Sequence, residues 1–86
     1  KDKSPTTRKA AAVALGDIGA DARGAVPALR AALRDEDNGV RWSVAEALGH
    51  IGPGAEDAVA DLAEALRDPA IRVMAADALG GIGRAS

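Results

Sequence analysis

The side chains that could do chemistry in this 86-residue sequence are few. His50 is the sole imidazole, and so the sole general base of its type near neutral pH. Glu56, Asp57, Asp61 and Glu64 crowd one short stretch, and paired carboxylates can exchange protons with a substrate. Arg8, Arg41 and Arg72 recur at similar intervals, as do Asp35 and Asp68. A row of arginines could bind anions through charge-assisted hydrogen bonds. Arg23, Arg30 and Arg34 form a second basic group, and Trp42 is the only aromatic side chain. An exposed Trp is a favoured interface anchor.

The elements that carry these residues are set by an internal repeat. Leu15-Gly16-Asp17-Ile18-Gly19 returns as Leu48-Gly49-His50-Ile51-Gly52 and as Leu79-Gly80-Gly81-Ile82-Gly83, at offsets of 33 and 31 residues. An Arg stands seven residues before each Leu. Val26, Leu29, Leu33 and Asp35 return as Val59, Leu62, Leu66 and Asp68. Each copy reads as two helices. Ala11, Leu15 and Ile18 fall on one helical face, echoed by Val44 (or Ala45), Leu48 and Ile51, and by Ala75, Leu79 and Ile82. Val26, Leu29 and Leu33 mark the second helix. Ser4-Pro5 and Asp68-Pro69 pair an N-cap with Pro at the first helical position, and Asp37 caps the middle copy. Gly19, Gly52 and Gly83 suit the left-handed position past a helix end. Gly16, Gly49 and Gly80 then lie inside the last turn, where a Gly costs about 1 kcal/mol against Ala. Close approach by a neighbouring helix would offset that cost. The expected helices span 5–18, 25–34, 38–51, 55–67 and 69–82.

Composition agrees. Alanine supplies 22 of the 41 hydrophobic residues, which favours closely packed helices over a β-sandwich or barrel. The expected fold is all-α: a short right-handed α-solenoid of about two and a half repeats, at approximately 4–36, 37–67 and an incomplete 68–86. It forms one domain over 1–86, and because it starts at Lys1 it reads as processed or as a fragment of a longer repeat protein. No run of 18 apolar residues provides a membrane span, and no secretory segment opens the chain, so the default compartment is the cytoplasm. Cysteine is absent, which excludes disulfides, thiolate metal sites and Cys nucleophiles. The phosphate loop, the dinucleotide fingerprint and zinc spacings are missing, so no cofactor and no metal is expected.

The repeat register assigns roles to the charged residues. Positions tied to the register in every copy are structural, so Arg8, Arg41, Arg72, Asp35 and Asp68 are expected to bond one another or helix-end carbonyls between repeats. His50 aligns with Asp17 and Gly81, a variable position, and reads as a solvent-facing helix end. The carboxylate cluster reads as the solvated face of a second helix. Trp42 aligns with Lys9 and Val73 and is read either as an interface anchor or as partly buried against an inter-repeat loop. Residues 1–43 carry net charge +2 and residues 44–86 carry −4, so charge is polarised along the solenoid.

These motifs resemble a HEAT-like repeat, in particular the short type named after phycobilisome (bilin) lyase subunits. The resemblance rests on Val40-Arg41-Trp42-Ser43-Val44-Ala45-Glu46-Ala47-Leu48-Gly49-His50-Ile51-Gly52 and on Ala58-Val59 through Asp68. Thr7 departs from the pattern, as does Val44. The resemblance implies second helices lining a concave face, which makes Arg23, Arg30, Arg34, Asp57, Asp61 and Glu64 candidate partner contacts beside Trp42. It implies a non-enzymatic protein–protein interaction or scaffold module. The alternative is an accessory subunit or fragment of a bilin lyase-like enzyme, and a third reading is a nucleic-acid-binding module of HEAT-like type. The acidic second repeat opposes the third, because a phosphate track needs continuous positive charge. Hydroxylases of this fold use His-Glu pairs for iron, and no such pair occurs here. The expected partner is therefore a protein, with neither nucleic acid nor membrane. Self-association through the end helices is expected, because their apolar faces lack covering neighbours.

Overall fold

The computed structural model describes residues 4–83, which are helical apart from the connecting turns, with no strand among them. Lys1 and residues 84–86 of the third repeat lie outside the described residues. Helix α1 runs Pro5–Ile18 and α3 runs Asn38–Ile51, over the spans expected. Their starts are capped locally. The Ser4 hydroxyl accepts the Thr7 N–H at 3.3 Å, and Asp37 accepts the Val40 N–H at 3.0 Å. Their ends are set by Gly19 and Gly52 at φ 75° and 78°, a region that side chains with a Cβ rarely enter. Gly83 does not share this role: it lies within α5 (Arg72–Gly83) and has no positive φ.

The second helices are shorter than expected. Helix α2 covers Val26–Ala32 and α4 covers Val59–Ala65. The 3₁₀ runs Gly19–Ala25 and Gly52–Ala58 precede them. Small buried alanines accompany these runs. Three residues per turn aligns Ala22 with Ala25 in the first, with Ala22 buried, whereas the second is kinked at Ala55 (φ −98°, ψ 18°), with Ala55 and Ala58 both buried. Helix α5 also starts later than the Asp68-Pro69 signal predicted. The Asp68 carboxylate accepts the Ala70 N–H at 3.0 Å, closing a turn over residues 68–71 in place of a helix cap.

Helix α3 is the centre of the packing, with α1 on one side and α5 on the other. Helix α2 packs on α3 and on the 52–58 run, and α4 packs on α5. The body measures 37 × 28 × 16 Å. The largest fully buried side chains are Leu48, Ile51, Leu62, Ile71, Val40 and Val44. Burial on α1 differs from the expected Ala11, Leu15 and Ile18 face. Ala12 and Gly16 are buried, Leu15 is half-buried and Ile18 is 58% exposed. The reason is positional. Among the described residues α1 has a neighbour of its own row only on the α3 side, whereas α3 is covered on both.

Candidate interaction surface

The recurrent Arg and Asp positions meet. Arg8 grips Asp35 in a two-pronged pair, donating from Nε to Oδ2 at 2.7 Å and from Nη2 to Oδ1 at 2.9 Å. This hydrogen bond, with the Coulomb attraction of the same carboxylate, holds Arg8 above its ordinary pKa. Asp35 is buried, and its Oδ1 also accepts the Asp37 N–H at 3.0 Å, which ties the pair to the turn before α3. Arg41 repeats the pattern one copy later. It donates from Nε to Asp68 at 3.0 Å, from Nη1 to the Asp35 carbonyl at 2.7 Å, and to the Asn38 side chain. Both Arg–Asp pairs span 27 residues, so each clamps the first helix of a repeat to the end of its second. Arg72 donates from Nε to the Leu66 carbonyl at 2.9 Å, as Arg41 does to Asp35, six residues back in each case.

The candidate partner contacts lie on the second helices and the runs before them. Arg30 donates to Asp61 at 2.6 Å, and Arg34 lies 3.9 Å from the same carboxylate, so α2 and α4 are bridged. The bond to Asp61 and its charge raise the Arg30 pKa above the ordinary value. Repeat offsets alone did not point to this bridge, because Arg30 aligns with Ala63 and Asp61 with Ala28. A search for opposite charges facing each other between stacked second helices would have found it. Arg23 donates to the Ala20 carbonyl at 3.4 Å and is otherwise exposed. Arg34, Asp57 and Glu64 are exposed, and Leu33, Arg34, Asp61 and Glu64 line a shallow groove between α2 and α4. The structure thus places Arg30, Arg34 and Asp61 together and leaves Arg23, Asp57 and Glu64 projecting around them.

Trp42 lies apart from this surface, on the stripe of α3 that also carries Ala45 and Gly49, and is 37% exposed. His50 is exposed at the end of α3. One shallow groove beside it is lined by Glu46, Met74 and Asp77, and another by Val13, Asp17 and Ser43. Ser43 is buried on α3.

The helical glycines show how the repeats are joined. A Cβ on Gly16 would stand 3.1 Å from the Ala47 Cα, and one on Gly49 would stand 2.9 Å from the Ala78 Cα. Two helix pairs therefore approach nearly backbone to backbone. No curated protein and no solved structure matches the chain. The family description for HEAT repeats matches residues 1–80, in keeping with the helical stacking and the repeated Arg–Asp clamp, and the chain belongs to that family.

Proposed function

We propose that this chain is a non-enzymatic protein-interaction module that binds through α2, α4 and the runs leading into them. HEAT repeats are generally protein-interaction modules, and the solenoid they build offers long shallow surfaces. We take the helices as a right-handed solenoid of about two and a half repeats, working in the cytoplasm. The observation that carries the reading is the bridged charge array. Arg30 and Asp61 lock α2 to α4 at 2.6 Å, and exposed Arg23 and Arg34 then stand beside exposed Asp57 and Glu64. A partner segment crossing this face meets positive charge and then negative charge, on a face where Arg30 and Asp61 are paired across α2 and α4. Such ordered charge selects orientation and register more than raw affinity. The acidic residues of the second repeat interrupt any track for a phosphate backbone, which favours a protein partner over a nucleic acid. No described helix is long and apolar enough to cross a membrane.

The test is charge order. Fluorescent helical peptides with an acidic half followed by a basic half are compared with peptides of reversed and of uniform charge. Anisotropy should rank the complementary order first, and the double variant Arg34→Glu, Glu64→Lys should invert the ranking. Amide chemical shifts should move on α2 and α4. Equal binding of all peptides, or shifts confined to α1 and α5, would refute the assignment.

A further inference from the structure

We propose that a second copy of this chain docks head to tail, seating the outer face of its α1 on the outer face of α5 and extending the row α1, α3, α5. One contact, made twice within the molecule, supplies the template. Gly16 of α1 faces Ala47 of α3, and Gly49 of α3 faces Ala78 of α5, each with space for no Cβ without a shift of the neighbour. Gly80 is the third member of the series. A Cβ there meets nothing within 4 Å among the described residues. Val73, Ala76 and Gly80 follow one another at i, i+3, i+7 and form the stripe that corresponds to Trp42, Ala45 and Gly49 on α3. Ala45 is fully buried, whereas Ala76 is exposed and Val73 is 72% exposed. The accepting half of the contact is therefore built on α5 and bare.

The inserting half is bare on α1. Ala47 and Ala78, which receive Gly16 and Gly49, align with Ala14, and Ala14 is exposed. Ala11 is exposed where its counterparts Val44 and Ala75 are buried. Ile18 is 58% exposed where Ile51 and Ile82 are nearly covered. Docking Ala14 over Gly80 covers these residues in the register the chain already uses. Asp17 takes the place of His50, whose ring lies beside Gly16 at the α1–α3 contact; at the α3–α5 contact the same position is Gly81, where a Cβ would stand 2.9 Å from the Gly49 carbonyl oxygen, so the α1–α3 joint alone is the precedent for a side chain there.

The register selects head-to-tail docking over a symmetric pair. The contact already made twice sets a Gly of one helix against an Ala of the next, and α5 offers Gly80 where α1 offers Ala14. Two α5 faces, or two α1 faces, do not bring Gly80 and Ala14 together. A head-to-tail contact uses two different surfaces and need not close, so it generates open chains. One helix on one helix buries less than the roughly 800 Å² per partner of a standard interface, so the contact is weak and reversible.

Sedimentation equilibrium of the 86-residue chain from about 10 µM to 1 mM covers the affinity range of such a contact. Gly80→Leu blocks the α5 face and Ala14→Arg blocks the α1 face. Both positions are open in the single chain, and helicity by circular dichroism verifies that each variant folds. The wild-type average mass should rise past twice the monomer mass without a plateau. Each variant alone should stay monomeric, and their equimolar mixture should form a one-to-one pair and stop there. A wild type at monomer mass throughout overturns the proposal and leaves the face to a different partner. Self-pairing of the Ala14→Arg chain, or of the Gly80→Leu chain, overturns it in favour of a symmetric contact. The peptide-binding surface on α2 and α4 is separate, so failure here leaves the proposed function standing.

Discussion

Three glycines at equivalent positions in one chain should respond differently to the same substitution. In each case Gly→Ala removes a helical glycine, which favours the folded state by about 0.5–1 kcal/mol. The opposing term depends on what the new methyl meets. At Gly80 it meets nothing within 4 Å among the described residues, so Gly80→Ala should be stabilising by the full amount. A gain of that size raises the midpoint by about 2–8 °C in a domain of this length. At Gly49 the methyl would stand 2.9 Å from the Ala78 Cα and 3.2 Å from its Cβ. The nearest atom is backbone, so α3 and α5 must separate rather than one side chain turn aside. Overpacking of this kind costs about 1–3 kcal/mol, which outweighs the propensity gain. Gly49→Ala should therefore destabilise, by up to about 2.5 kcal/mol. Gly16 is intermediate, at 3.1 Å from the Ala47 Cα, and Gly16→Ala should fall between the other two. Thermal and urea unfolding followed by circular dichroism, at a concentration low enough to keep the chain monomeric, gives the order directly. Equal effects at all three positions would refute the claim that close helix approach is why two of these glycines are required.

Three further outcomes follow from the clamps, the bridge and the caps. Arg41→Ala should lower stability by about 1–3 kcal/mol, because it removes bonds to Asp68, the Asp35 carbonyl and Asn38 at the joint between repeats. Arg30→Ala, at a far more exposed pair, should shift the urea midpoint much less. Asp37→Ala should cost about 1 kcal/mol by freeing the Val40 N–H at the start of the central helix, measured as a lower urea midpoint at unchanged m-value.

Helices α1 and α3 were legible because each boundary is set locally: a capping side chain at the start and a glycine at positive φ at the end. The second helices were legible as elements but not in their extent. Leu29 and Leu62 declare a buried face, yet nothing in an alanine-rich lead-in separates 3.6 from 3.0 residues per turn until Ala22, Ala55 and Ala58 have a surface to press against. The start of α5 was misread because Asp-Pro is compatible with a helix cap and with a turn. The carboxylate of Asp68 bonds Ala70 and Arg41 at once, which selects the turn. Recurrence marked the Arg–Asp clamp at equal separations, whereas Arg30 and Asp61 face each other only once the repeats are stacked.

In a repeat chain, what a residue does depends on its type and on which copy carries it. Ile18, Ile51 and Ile82 occupy one position of the motif, yet Ile18 is 58% exposed and the other two are covered. Trp42, Lys9 and Val73 occupy another, where the copies differ in size, charge and exposure, Trp42 at 37% and Val73 at 72%. The central repeat meets neighbours on both sides, so its motif residues contribute burial: Val44, Ala45, Ala47, Leu48 and Ile51 are all buried. The same motif at either end contributes a surface. An end residue that keeps the motif, such as Gly80, carries the cost of a helical glycine without the close contact that offsets it elsewhere. That imbalance separates Gly80 from Gly16 and Gly49, and it is removed when a helix packs on α5.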